Sequence, residues 1–359
     1  MPTVLESLNA ALHQALLTDQ RVILLGEDVL DPYGGAFKVT RGLSSAFPER
    51  VLTTPISEAG ITGLATGMAL RGLRPVVEIM FGDFVTLIAD QVLNHTAKFA
   101  WMYSGGKPPD EQVRVPLVIR TPMGGRRGYG PTHSQTLEKL FLGVPGLRVL
   151  APCALGDPGG LLLQAILQDD DPVLFVENKL LYLVPVSKLP DFEVQDEPTA
   201  FSHQPSTVSQ QRTADPVALV TRHYAPTYSL KVRGAPPPSV TLAAYGYMAE
   251  LARQAALRLA YENEIFVELV VPTQLAPFRI EPILASAGRT GRLLTIEEGN
   301  LSLGWGAEVV ALAAEALGSH LEAAHRLAAK DIPVPASGPL EAAALPGVDE
   351  IILAVRKLG

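Results

Sequence analysis

The sequence is poor in cysteine and in charge, and it has no long apolar run. A single cysteine, Cys153, among 359 residues leaves no partner for a disulfide within the chain, which suits a reducing cytoplasm. Charged residues make up 18% and hydrophobic ones 47%, so two domains can each bury a sizeable core. No run reaches the roughly 20 apolar residues that a membrane span needs. The first 20 residues show an amphipathic helix pattern (Leu5, Leu8, Leu12, Leu16) instead of a basic start, apolar core and small-residue cleavage site. A soluble chain without a secretion signal is therefore expected. No lysine- or arginine-rich cluster stands out, the formal net charge is −8 and the pI is about 5.4, which argues against nucleic acid as the main partner. Several motifs are missing as well. No Gly-x-Gly-x-x-Gly follows the first strand, and there is no phosphate-binding Walker loop and no Gly-x-Ser-x-Gly elbow. No His/Cys group has metal-ligand spacing.

What is present is a regular alternation of short apolar strands and helices. Strands are predicted at 21–26, 74–81, 115–120, 147–152 and 172–177, with helices at 59–70, 84–103, from His133 to about 142, and at 159–167. The pattern lapses from about 186 to 239, a stretch rich in Ser, Thr, Gln and Pro, and then resumes. It gives strands at 240–244, 265–271 and 292–297, helices at 249–261, 280–287 and 307–317, and a closing helix with a terminal strand or helix over 339–359. This alternation predicts an α/β protein of two domains, each a mostly parallel sheet flanked by helices. The domains are expected at 1–186 and 240–359, joined by a linker or insertion at 187–239.

The organising stretch is Thr54-Pro55-Ile56-Ser57-Glu58-Ala59-Gly60-Ile61-Thr62-Gly63. Ser57 is a good helix cap, and Glu58 suits the positive end of the helix that follows. By itself Glu58 could be just a helix-start residue. The helix from Ala59 to Leu70 has almost no polar residue, so it is expected to be buried on all sides. A carboxylate at its mouth is then poorly solvated, and its proton affinity should rise. His133, alone of the seven histidines, lies in a glycine-rich loop between a strand and a predicted helix. It is either a solvent-facing loop residue or an acid/base near neutral pH. Ligands of open α/β sheets bind at the carboxyl ends of strands, where Glu58 and His133 both fall. Asp169-Asp170-Asp171 could hold a cation or form a solvated turn at a helix end.

Five motifs occur in order: Leu25-Gly26-Glu27-Asp28; Pro55-Ile56-Ser57-Glu58-Ala59-Gly60-Ile61; the loop ending His133-Ser134-Gln135; Pro145-Gly146-Leu147-Arg148-Val149; and Glu297-Glu298-Gly299 with Gly304-x-Gly306. Together they resemble the β-subunit of the decarboxylating first component of 2-oxoacid dehydrogenase complexes. This is the thiamine-diphosphate family acting on pyruvate or branched-chain 2-oxoacids, related to transketolase. The resemblance implies a pyrimidine-binding domain and a transketolase-type C-terminal domain. It implies that Glu58 bonds the aminopyrimidine nitrogen and promotes the ylide, that Ile56, Met80 and Phe84 line the pyrimidine pocket, and that His133 serves acyl transfer to the lipoyl group. It further implies a potassium ion near Leu117, Asp169 and Asp171, although that helix end is one residue longer here. The chain has no Gly-Asp-Gly segment for magnesium and diphosphate. The resemblance therefore implies an α-subunit supplying that half of the site, an α2β2 heterotetramer, and a lipoyl acyltransferase as further partner. A two-chain acetoin-cleaving or transketolase-type enzyme and a non-catalytic scaffold remain as alternatives. The family's usual pattern near 324–335 survives only as Asp331-x-Pro333-x-Pro335.

Overall fold

The computed structural model describes residues 1–105, 107–108, 111–186, 189–197 and 225–358. The first part of the chain runs through α1 (Val4–Thr18), β1 (Val22–Gly26), α2 (Leu43–Ala46), β2 (Val51–Thr53), α3 (Glu58–Leu70), β3 (Arg74–Glu78), α4 (Ala97–Ser104), β4 (Val118–Met123), β5 (Arg148–Leu150), α5 (Pro158–Leu167) and β6 (Val173–Asn178). The second runs through β7 (Phe192–Glu197), β8 (Thr227–Val232), β9 (Val240–Ala244), α6 (Gly246–Asn263), β10 (Val267–Pro272), β11 (Gln274–Ala276), α7 (Glu281–Thr290), β12 (Arg292–Asn300), α8 (Trp305–Leu317), β13 (Ala323–Ala329), α9 (Gly338–Ala344) and α10 (Val348–Leu358).

Two sheets result. The first has the order β11-β5-β6-β4-β3-β1-β2, and the second β13-β12-β9-β10-β8-β7. Every neighbour pair in the first sheet is parallel except β11 with β5. The registers Leu24↔Val51, Val76↔Val118 and Val118↔Val173 stack branched and aliphatic residues through its centre. Of these strands, β1, β3, β4 and β6 are uninterrupted or nearly uninterrupted buried runs, as a sheet covered on both faces requires, while the edge strand β2 is exposed beyond Val51. β11 belongs to the second half of the chain but pairs with the first sheet, and one apolar cluster joins Val77, Ile119 and Leu174 to Val270, Leu293 and Trp305. The two sheets thus share a core.

Several expectations are corrected. The stretch 187–239 contains β7 and β8, an antiparallel pair that widens the second sheet, and most of the remainder lies outside the described residues. The helix expected at 84–103 is three pieces: a 3₁₀ segment Gly82–Ile88, a π-helical segment Gln91–Thr96, and α4. Thr96 explains the wide turn. Its hydroxyl bonds the Gln91 carbonyl five residues back at 2.9 Å and the Thr66 hydroxyl on α3 at 2.6 Å. Nor does His133 open a helix. It follows a 3₁₀ turn, Gly130–Thr132, and a second short turn begins only at Glu138. Finally, α3 is not buried on all sides. Ile61, Thr62, Ala65, Thr66 and Ala69 face inward, while Ala59, Gly60, Leu64, Gly67 and Leu70 form an exposed, apolar, small-residue face. Among the described residues no helix is long and apolar enough to cross a membrane.

Candidate active site

The site lies at the carboxyl ends of the first sheet's strands, where β1, β2, β3, β4 and β6 release their chains into loops. β2 ends at Thr53, and after four intervening residues α3 begins with Glu58 in its first turn. Ser57 makes no side-chain cap, contrary to expectation, so the helix N-terminus offers free N–H groups and a positive dipole end. Glu58 is only 7% exposed, and no cation is paired with it among the described residues.

Its neighbour is Glu27, just past β1. Burial, and next the charge of Glu58, push the Glu27 carboxyl above its usual range, although the Ser57 backbone N–H opposes the shift. One Glu27 oxygen, Oε1, is buried with no hydrogen-bond partner. The signal that could have found Glu27 is its place immediately after a buried strand, in the same loop layer as Glu58.

β3 leads into Met80, Phe81, Gly82, Asp83 and Phe84. Met80 and Phe84 are half-buried, and Ile56 is 84% exposed in this chain by itself. The structure brings Phe84 and His133 together, with ring centroids 5.4 Å apart, and Phe81 closer still at 4.7 Å, edge-on. Tyr129 packs edge-on against Phe81 at 6.0 Å. His133 therefore stands in an aromatic corner, its Nδ1 2.8 Å from the Thr132 hydroxyl. No hydrogen bond joins it to Glu58 among the described residues; the two lie at ends of different strands.

The loop carrying His133 is fastened from both domains. Gly124 has φ 97°, and a side chain there would meet Asn178 Nδ2 at 2.5 Å, so glycine is required. Glu298 accepts the Gly125 N–H at 2.6 Å, and Glu341 accepts those of Arg126 and Gly128 at 2.7 and 3.1 Å. Asp83 Oδ1 accepts from the Gln135 backbone and side chain at 3.3 and 2.9 Å. These bonds replace the ladder that a helix at 133–142 would have made.

Beneath the site is a sealed ionic group that the sequence analysis missed. Arg120 on β4 donates to Glu78 on β3 at 2.7 Å and, through two nitrogens, to Glu177 on β6, also at 2.7 Å; Tyr182 O–H donates to Glu177 at 2.6 Å. Burial raises Glu78. Burial also opposes the Arg120 charge, but Glu177 and Glu78 outweigh it and hold that guanidinium above its ordinary value.

The third set of predicted residues, Leu117, Asp169 and Asp171, meets where β4 begins and α5 ends. Here the Leu117 carbonyl accepts the Val173 N–H at 2.8 Å. The carbonyls of Ile166 and Asp169 accept from Arg74, and the Asp169 carboxylate pairs with Arg148. Arg114 and Arg74 both reach Asp170.

Comparison with known proteins agrees with this architecture. Residues 1–184 match the family model of the transketolase pyrimidine-binding domain, and residues 231–351 that of the transketolase C-terminal domain. The chain is 38% identical over 359 residues to the mitochondrial pyruvate dehydrogenase E1 component subunit beta-2 of Oryza sativa subsp. japonica, spanning 99% of this chain and 85% of that one. The chain belongs to the β-subunits of thiamine-diphosphate-dependent 2-oxoacid dehydrogenases. The same β-subunit of Rickettsia bellii is 36% identical over 358 residues, 99% of this chain and 98% of the relative. Among solved structures, one described as a split gene transketolase, inactive β4 tetramer, covers 100% of this β-subunit with a TM-score of 0.68 at 19% identity. At that identity it supports the fold alone.

Proposed function

We propose that this β-subunit supplies the pyrimidine half of a thiamine diphosphate site, and that with an α-subunit it decarboxylates a 2-oxoacid, pyruvate or a branched-chain homologue, passing the acyl group to a lipoyl acyltransferase. The observation that carries the reading is Glu58. It is a carboxyl 7% exposed, in the first turn of α3, with no cation paired to it among the described residues. The residues fit the cofactor: an aminopyrimidine has apolar faces and a basic ring nitrogen, and the chain offers apolar side chains in Ile56, Met80 and Phe84 and a carboxyl in Glu58. When bound, thiamine diphosphate supplies a carbanion that adds to the 2-oxo carbon and a ring that accepts the electrons left by carbon dioxide.

The chain's own part is to place protons. Glu58 holds one against the pyrimidine nitrogen. Glu27 stands behind it, its proton affinity raised by burial and by the Glu58 charge. His133, an imidazole in an aromatic corner, gives or takes a proton as the acyl group leaves for the lipoyl sulfur. Phe81, Phe84 and Tyr129 pack edge-on around that corner.

The exposed face of α3, with Leu64 and Leu70 at 57% and 41% and Ile56 beside it, suits burial against the α-subunit in an α2β2 assembly. The magnesium and diphosphate contacts belong to that subunit in this reading; among the described residues no group of three or more His, Cys, Asp or Glu is placed to hold a metal. Potassium does not fit the residues named for it. Arg74, Arg114 and Arg148 already neutralise that helix end, and we assign its cation role to them. A cytoplasmic location accords with the buried, free Cys153.

A calorimetric titration of thiamine diphosphate with magnesium tests the split site. No binding to this chain alone, with tight binding once it is co-expressed with its α-subunit, is the expected result. Tight binding to the lone chain would remove the half-site reading. Acyl acceptance by an aldehyde instead of a lipoyl domain would move the enzyme to the transketolase type.

A further inference from the structure

One charged side chain beside the site has no part in the mechanism above. Lys179 follows β6 and is 1% exposed. Its ammonium donates to the His133 carbonyl, its sole acceptor among the described residues. It sits 5.3 Å from the ring centres of both Phe81 and Tyr129, close enough for a cation–π contact with each. A buried ammonium with one neutral acceptor is costly unless the site uses it. Two residues along, the Asp83 carboxylate holds Gln135. The short irregular segment 133–135 is thus pinned at both ends by buried charges, where a helix would have needed neither.

We infer that Lys179 is a positioning residue for acyl transfer: by gripping the His133 carbonyl between the Phe81 and Tyr129 rings, it sets the direction of the His133 imidazole. The inference rests on the proposed acyl transfer to a lipoyl group. It differs from a packing role because it depends on the charge and on donated protons, not on the volume of the side chain. The charge has its own pH limit. Burial lowers Lys179 to about 8, against the pull of Asp83 and Glu298; Arg127 pushes the same way as burial, and Glu341 opposes it. Those four groups, with the His133 carbonyl and the two rings, are what face the ammonium from the segment after β3, from β12, from the glycine-rich loop and from α9. Below about pH 8 the grip is that of a cation; above it, that of a neutral amine, and the segment loosens.

The test uses holoenzyme assembled from the full chain and its α-subunit, as wild type, Lys179→Met and Lys179→Arg. Decarboxylation is followed with an artificial electron acceptor, and acyl transfer by reductive acylation of a lipoyl domain. Lys179→Met should lose roughly ten- to a hundredfold in acyl transfer through misplacement of His133, with decarboxylation changed less than about threefold. The alkaline fall of acyl transfer near pH 8 in the wild type should vanish. Lys179→Arg, which keeps charge and donors, should recover most of the acyl transfer. Equal losses in both half-reactions, or wild-type acyl transfer in Lys179→Met, overturn the inference. Hydrogen exchange separates this from failure of the functional reading, since it needs no turnover. In the wild-type chain, exchange at 133–137 should rise between about pH 7 and pH 9 by more than in α1, through loss of the ammonium. If no 2-oxoacid is decarboxylated the functional reading falls, and flat relative exchange across that range overturns the role of Lys179.

Discussion

Glu78 and Glu177 share the guanidinium of Arg120; Glu27 and Glu58, at the ends of the strands beside them, share none. All four carboxyls are buried: Glu78 and Glu177 on β3 and β6, Glu27 in the loop after β1, and Glu58 in the first turn of α3. The paired set is tied together by side chains of three strands, β3, β4 and β6. Of the unpaired two, Glu27 keeps an orphan oxygen and a raised proton affinity, and Glu58 stands at the head of the open apolar face of α3. Burial by itself therefore does not mark a functional carboxyl. What marks it here is burial without a counter-charge, because such a group has lone pairs left for a ligand.

The sharpest break of this contrast is Glu58→Gln. In the reconstituted enzyme, proton exchange at the thiazolium carbon should fall by roughly a thousandfold or more, the upper range for removing an acid/base group, with the unfolding temperature unchanged. Near-normal exchange would put Glu58 with the structural carboxyls. Arg120→Met attacks the other side. It strands two buried carboxyls, so denaturant unfolding should show a loss of about 3–5 kcal/mol; a loss under about 1 kcal/mol would mean the network adds little beyond packing.

An intermediate case is Glu297, buried without a cation but accepting the backbone N–H groups of Trp305 and Gly306 at 2.8 Å each. Burial first, and then the Glu138 charge, raise it to about 7. A raised carboxyl favours folding most when protonated, so this contribution is complete below about pH 4.5 and is lost as pH climbs through 7. Unfolding free energies at pH 5 and pH 8 should differ by an extra amount on the order of 2 kcal/mol in wild type relative to Glu297→Gln. An identical pH dependence in the two proteins would show that the two N–H groups fully compensate the burial. The smallest effect is expected at the arginine-filled helix end. Replacing potassium by sodium should move the unfolding temperature by less than about 1 °C, since a fraction of a kcal/mol is all that remains to gain. A potassium-specific rise of several degrees would restore the cation there.

Much of the fold was legible because buried parallel strands carry their own signature. Val22 to Gly26, Arg74 to Glu78 and Val173 to Asn178 are short apolar runs between turn signals, and they appear where the alternation put them. The failures share one cause, long-range hydrogen bonding. Residues 84–103 carry a helical period, but the Thr66–Thr96 bond draws the backbone into a wide turn. Residues 133–142 look helical, but Asp83, Lys179 and Gly124 claim their polar groups. In the site, Glu58 and His133 could be singled out from local context, whereas Arg120 and Lys179 could not, because each draws its meaning from residues tens of positions away.

From the sequence by itself come the α/β class, the parallel strands, the family and the two residues around which the chemistry is proposed. Periodicity, turn residues and ordered motifs are properties of neighbouring residues, and they survive without coordinates. Only the tertiary structure decided which carboxyls are paired, which face of α3 stays open, and what holds His133 in place. Electrostatics and hydrogen bonding depend on distance in space, and strand order, β11-β5-β6-β4-β3-β1-β2, scrambles distance along the chain.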